Sequence, residues 1–82
     1  MRYFEIYAWE DCPYCIKAKE LLVKNDHQSI FCCIDQSDIL LQYIQNKWGW
    51  TTVPMIIEKY TTTTEVKFIA GFTDLVKYLE EK

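Results

Sequence analysis

The chain opens on Tyr3-Phe4-Glu5-Ile6-Tyr7-Ala8, an aromatic and β-branched run broken by one charge, which predicts a strand. From Pro13 to about Lys24 the period lengthens. Cys15, Ala18, Leu21 and Leu22 recur at helical spacing, with Lys17, Lys19, Glu20 and Lys24 on the wet side. Asn25-Asp26-His27-Gln28 interrupts that period. Ser29 to Ile34 then reads as a second strand, apolar on both faces and so expected to be central or well covered. Ser37 or Asp38 is placed to cap a second helix whose stripe is Leu41, Ile44 and Trp48, closed by Gly49. Val53-Pro54 is a break, because proline has no N–H for a ladder and restrains the residue before it. Met55 to Lys59 and Glu65 to Ile69 predict a hairpin across Tyr60 and the threonines. Beyond Gly71, Thr73 is placed to cap a last helix with Leu75, Val76 and Leu79 inward. Lys77, Glu80, Glu81 and Lys82 fall on its outer side.

The element order is therefore β-α-β-α-β-β-α. Its first β-α-β unit demands a right-handed crossover and a parallel pair, and the hairpin adds an antiparallel one. An α/β fold follows, a four-stranded mixed sheet with helices on both faces.

Composition narrows the setting. The chain has 82 residues, enough for a single domain over 1–82 and no second core. Half of them are hydrophobic and 26% charged, which excludes a disordered chain. No apolar run approaches the ~18 residues that a membrane helix needs. Glu5, Glu10 and Asp11 interrupt the stretch near Met1 where a signal peptide would lie. A net charge of −3 argues against nucleic acid or an anionic membrane as partner. Four cysteines fall below the ~8–10% of a secreted disulfide scaffold. Such cysteines read as catalytic, metal-binding or buried, in a cytoplasmic protein.

The chemistry concentrates at Cys12-Pro13-Tyr14-Cys15, where a strand ends and a helix begins. Pro13 suits the first helical position, where a missing N–H costs nothing. Cys12 then stands just outside the helix, facing unpaired N–H groups and the positive end of the macrodipole. Thiols in such settings titrate at roughly 3.5–7.5 instead of about 8.5. Cys15 lies one turn inside, within reach of a disulfide but less exposed, so spacing makes Cys12 the attacking thiol and Cys15 the resolving one. A zinc site would have to borrow His27, Cys32 or Cys33, yet neighbours on a strand point to opposite faces and cannot easily share an ion. No metal is expected. Cys32 and Cys33 themselves read as buried spectators, since free cysteine packs like a small hydrophobe.

With these residues in place the chain resembles the dithiol glutaredoxins, a thioredoxin-like family, over nearly its whole length. Three motifs carry the resemblance in the right order: Cys12-Pro13-Tyr14-Cys15, Thr52-Val53-Pro54 before the third strand, and Gly71-Phe72-Thr73-Asp74 before the last helix. The first also distinguishes it from thioredoxin, whose motif places Gly then Pro between the cysteines. The resemblance implies a cis bond before Pro54, with the Val53 backbone pairing with glutathione like an added strand. Thr73 and Asp74 would hold the γ-glutamyl end, Asp74 taking its ammonium. Tyr14 would line the glutathione groove. One departure stands out. Many relatives carry a basic residue three positions before the first cysteine, aimed at the glycine carboxylate of glutathione; here that position is Trp9, followed by Glu10 and Asp11. Lys17, Gln42, Gln45 and Lys47 are candidates to compensate. Glu10 and Asp11 also oppose a thiolate at Cys12. Trp9, Trp48 and Trp50 are candidates for an aromatic rim, although a core role suits Trp48 better.

The activity implied is glutathione-dependent reduction of protein disulfides and glutathione mixed disulfides, with glutathione as cosubstrate and no tightly bound cofactor. Partners would be disulfide-containing or glutathionylated proteins, with ribonucleotide reductase a common client in the family, and a monomer is expected. Two rivals remain open. One is a thiol donor recharged by thioredoxin reductase, which the missing base at Trp9 keeps in play. The other is a glutathione-ligated [2Fe–2S] protein using Cys12 from two chains, which the stiffening by Pro13 disfavours.

Overall fold

A computed structural model describes residues 1–81. In β1 (Arg2–Ala8) the side chains of Phe4, Ile6 and Ala8 alternate onto one face and are fully buried. α1 (Pro13–Lys24) lays Cys15, Ala18 and Leu22 against that face, the i, i+3, i+7 stripe of an amphipathic helix. Asp26 turns the chain at φ 59°, a left-handed conformation that its short polar side chain tolerates. The chain then enters β2 (Gln28–Cys33), parallel to β1.

α2 (Asp38–Trp48) starts on Ser37, whose Oγ accepts the Leu40 N–H at 3.3 Å. It ends on Gly49 at φ 62°, a left-handed position open to glycine at no steric cost. β3 (Met55–Tyr60) pairs antiparallel with both β1 and β4 (Val66–Ala70), and α3 (Phe72–Glu80) closes the chain. The sheet order is β2-β1-β3-β4, a mixed four-stranded sheet. One core cluster joins β1, α1 and Leu75 of α3; a second gathers Ile34, Ile44 and Met55 with Tyr7, Leu41, Trp48 and Phe68, so α2 covers the opposite face.

Two sequence expectations are corrected. β2 is an edge strand, not a central one, and Ile30 on it is 48% exposed. Its apolar run reflects one half-covered face, Ser29, Phe31 and Cys33, and one largely exposed face with Ile30. Thr73 does not cap α3, because the helix begins two residues earlier than such a cap requires, with Gly71 at the N-cap. Glycine has no side chain to accept, so the contact runs the other way: Asp74 Oδ2 accepts the Gly71 N–H at 3.1 Å. Leu75 is buried and Val76 and Leu79 half-buried, as the stripe requires, while Lys82 lies outside the described residues.

A charge is buried beneath α3. Glu58 is 1% exposed, and its carboxylate takes an Arg2 guanidinium at 3.2 Å and the Tyr60 and Tyr78 hydroxyls at 2.9 Å each. A buried carboxylate is tolerated only with such partners. The cluster ties β1, β3 and α3 together.

Candidate active site

Because β1 stops at Ala8 and α1 begins at Pro13, Cys12 falls on the N-cap with φ −134° and ψ 100°. Its Sγ accepts the Cys15 N–H at 3.2 Å, the position an N-cap oxygen ordinarily takes. Cys12 and Cys15 are joined as a disulfide with Cα atoms 5.2 Å apart. They are unequal in access: Cys12 is 7% exposed and Cys15 is fully buried. An incoming sulfur therefore meets Cys12.

The residues expected around this pair come together from three segments. The Val53–Pro54 peptide is cis. Val53 is half-buried and packs on the cluster that holds Cys12 and Cys15, as does Phe72 from the first turn of α3. Gly71 backs onto the loop: a Cβ there would stand 4.0 Å from the Pro54 carbonyl oxygen. The Tyr14 and Phe72 rings lie 5.9 Å apart, bridging the starts of α1 and α3, and Lys17 Nζ sits 5.0 Å from the Tyr14 ring centre. Thr52, Thr73 and Asp74 are exposed. Asp74 spends one oxygen on the Gly71 N–H and presents the other to solvent.

Of the compensating candidates, Lys17 lies at the site. Gln45 is engaged with the Thr51 carbonyl at 3.3 Å, and Lys47 rests over Trp48. Trp9 is 38% exposed. Trp48 and Trp50 form no rim with it; both pack on Phe68, with ring centres 5.4 and 5.5 Å away. Cys32 and Cys33 are free thiols and half-buried, less enclosed than expected because β2 is an edge. Burial, with Glu5 and then Cys33 beside it, pushes the Cys32 thiol above its ordinary value and away from reactivity.

Sequence reasoning missed an open groove of about 530 Å³ beside Cys12, lined also by Glu10, Asp11, Ile16, Lys17 and Glu20. Ile16 is 48% exposed. The available signal was an isoleucine lying off the buried stripe of Cys15, Ala18 and Leu22. Glu10 is fixed in place: its N–H donates to Asp35 Oδ2 at 3.0 Å and its carboxylate accepts from Gln36 Nε2 at 3.1 Å.

A mixed four-stranded sheet with three helices, and a Cys-x-x-Cys pair opening the first helix, define a protein of thioredoxin-like fold. More narrowly, the chain belongs to the glutaredoxin family, whose model matches residues 4–59. It is 45% identical over 53 residues to a glutaredoxin of Pseudomonas aeruginosa, a match covering 62% of this chain and 61% of that relative. Among solved structures it resembles reduced Escherichia coli glutaredoxin, 29% identical with a TM-score of 0.72, over 98% of this chain and 95% of that one. A buckwheat glutaredoxin in complex with glutathione superposes with a TM-score of 0.77 at 18% identity, over 98% of this chain and 70% of that one, a likeness of fold.

Proposed function

We propose that this protein is a glutathione-dependent thiol–disulfide oxidoreductase acting on protein disulfides and glutathione mixed disulfides in the cytoplasm. One observation carries the reading: Cys12 Sγ occupies the N-cap of α1, accepts the Cys15 N–H at 3.2 Å, and is the more accessible sulfur of the pair. In the reduced protein the same N–H and the helix dipole favour the thiolate at Cys12.

The chemistry balances as two exchanges. The Cys12 thiolate forms a bond to one sulfur of the substrate disulfide, and the other sulfur leaves as a thiolate. Cys15 then loses its proton to solvent and attacks Cys12, releasing the second substrate thiolate and closing the internal disulfide. The substrate has gained two electrons and the protein has lost them. One glutathione thiolate reopens the bond as a mixed disulfide, and a second removes the first as glutathione disulfide. With a monothiol substrate carrying glutathione, Cys12 takes up the glutathione and Cys15 is not needed.

Glutathione, which the buckwheat relative binds, would lie across Tyr14 and Phe72 with its backbone along Val53. The free oxygen of Asp74 suits its ammonium, and the unpaired N–H groups at the start of α3 suit its α-carboxylate. Lys17, held over the Tyr14 ring, is a cation within reach of the remaining carboxylate. Thr52, Gly71 and Thr73 shape the loops on either side. A coupled assay tests the reading, offering a small glutathione mixed disulfide with either glutathione and its reductase or thioredoxin reductase as electron source. Turnover with glutathione is expected. Turnover with thioredoxin reductase alone would transfer the assignment to a thioredoxin-reductase-recharged donor.

A further inference from the structure

Cys12 lines a groove whose other walls carry three carboxylates, Glu10, Asp11 and Glu20, against the single ammonium of Lys17. A fourth carboxylate, Asp35, holds the Glu10 backbone from behind. Ile16, half-exposed, supplies an apolar patch in the same groove. Of the residues assigned above to glutathione, Lys17 lines this groove, whereas Tyr14, Val53, Phe72 and Asp74 do not. The two surfaces meet at Cys12 and Lys17, so a substrate whose sulfur is attacked there has a second surface on which to lay its flanking residues.

We propose that this groove selects disulfides and mixed disulfides flanked by Lys or Arg, with an apolar residue seated on Ile16, and disfavours acidic flanks. The inference deepens the oxidoreductase reading and rests on it. The physical cause is direct. Carboxylates lining one groove sum their fields, attracting a cation and repelling an anion. Asp35 anchors the Glu10 backbone, and the Glu10 carboxylate cannot swing away without giving up its bond from Gln36. The bond chemistry is unchanged: a sulfur–sulfur bond forms at Cys12 as the substrate's own breaks, and the leaving thiolate departs past the acidic wall.

Two measurements on the reduced full chain test the proposal. The first reacts the protein with a cationic trimethylammonium-ethyl methanethiosulfonate and an anionic sulfonatoethyl one, read by peptide mass as the rate at which the free Cys12 thiol is lost, because Cys15 then expels the label and closes the internal disulfide. The cationic reagent should react roughly three- to tenfold faster at low salt, the preference shrinking as salt screens the wall. In Glu10→Gln/Asp11→Asn/Glu20→Gln the ratio should fall towards that of free glutathione. In the charge-matched control Glu65→Gln/Glu80→Gln/Glu81→Gln, altered on exposed positions outside the groove, it should persist. The second compares glutathione-driven reduction of two disulfide peptides that differ only in Lys or Glu flanks, with the same ordering expected. A ratio equal to that of free glutathione in the wild type, or one untouched by the groove substitutions, overturns the proposal. Charge-selective modification without glutathione-driven turnover of either peptide supports the groove's preference and overturns the glutathione-dependent reading instead.

Discussion

The backbone N–H of Cys15 points at Cys12 Sγ from 3.2 Å, so the resolving residue also supplies a hydrogen bond to the attacking one. Hydrogen bonding to the charged form and the positive helix end both favour the thiolate, while Glu10 and Asp11 oppose it at longer range. The nearer effects should win. Alkylation of the reduced Cys15→Ser protein should reach half its limiting rate at a lower pH than alkylation of free glutathione. A half-rate point at or above that of glutathione would show that the acidic wall dominates.

The unequal burial of the two sulfurs gives unequal variants. Cys12→Ser should abolish every exchange activity, because no accessible nucleophile remains in the motif. Cys15→Ser should keep substantial glutathione-dependent removal of glutathione from a small mixed disulfide while losing reduction of protein disulfides. A folded Cys15→Ser protein inactive towards the small substrate would refute the monothiol route.

Under the glutathione-dependent reading, Trp9 holds the position where a base would meet the glycine carboxylate, and it is exposed enough to be replaced without opening the core. Trp9→Lys should lower the KM for glutathione several-fold, since one partly exposed charge-assisted contact contributes on the order of 1 kcal/mol. An unchanged KM would mean that Lys17 already serves that carboxylate.

Tyr78 donates to both carboxylate oxygens of Glu58 at 2.9 Å, and Glu58 is sealed from solvent. Removing a donor from a buried charge costs more than removing one from a neutral group, about 1.5–3 kcal/mol. Tyr78→Phe should lower the urea midpoint accordingly while leaving the thiol chemistry of Cys12 intact. A midpoint equal to the wild type would mean that the other groups around Glu58 satisfy it without the Tyr78 hydroxyl.

How far the sequence could be read follows from what its signals depend on. Element order and the redox pair were legible because they rest on local chemistry: alternation in Tyr3–Ala8, the Cys15, Ala18, Leu22 stripe, and proline beside a cysteine at a helix start. Strand order was not. An apolar run such as Ser29–Ile34 looks alike at the centre of a sheet and at its edge, because pairing partners lie far away in the chain. The α3 cap was misplaced because Thr73 has the better capping side chain, yet the helix starts at Phe72 on Gly71, and Asp74 takes only the Gly71 N–H. Glu58 gave no warning either. A carboxylate within Met55–Tyr60 reads as the wet side of a strand until Arg2, Tyr60 and Tyr78 are seen to converge on it from three elements.

Alkali should unfold this protein through its tyrosines, and Tyr7 lets the cause be separated. Burial, then a hydrogen bond to Glu5 at 2.9 Å, raises the Tyr7 phenol well above its ordinary value in the folded state. Tyr60 is also raised, first by its hydrogen bond to Glu58. Below the ordinary phenol value near 10 both states keep the proton, so the contribution is fully present there. Above it the unfolded chain releases the proton while the folded chain holds it. Unfolding then releases protons, and stability falls as pH rises towards the folded value. The urea midpoint of the wild type should therefore drop between about pH 9 and about pH 11. Tyr7→Phe, which also surrenders the bond to Glu5, should start lower yet fall less steeply over that interval, with Tyr60 contributing to the remaining slope. The slope isolates the phenol, whereas the starting midpoint mixes in lost packing and the Lys59–Glu5 ion pair at 3.0 Å. Equal slopes in the two proteins would mean that Tyr7 ionises as easily folded as unfolded.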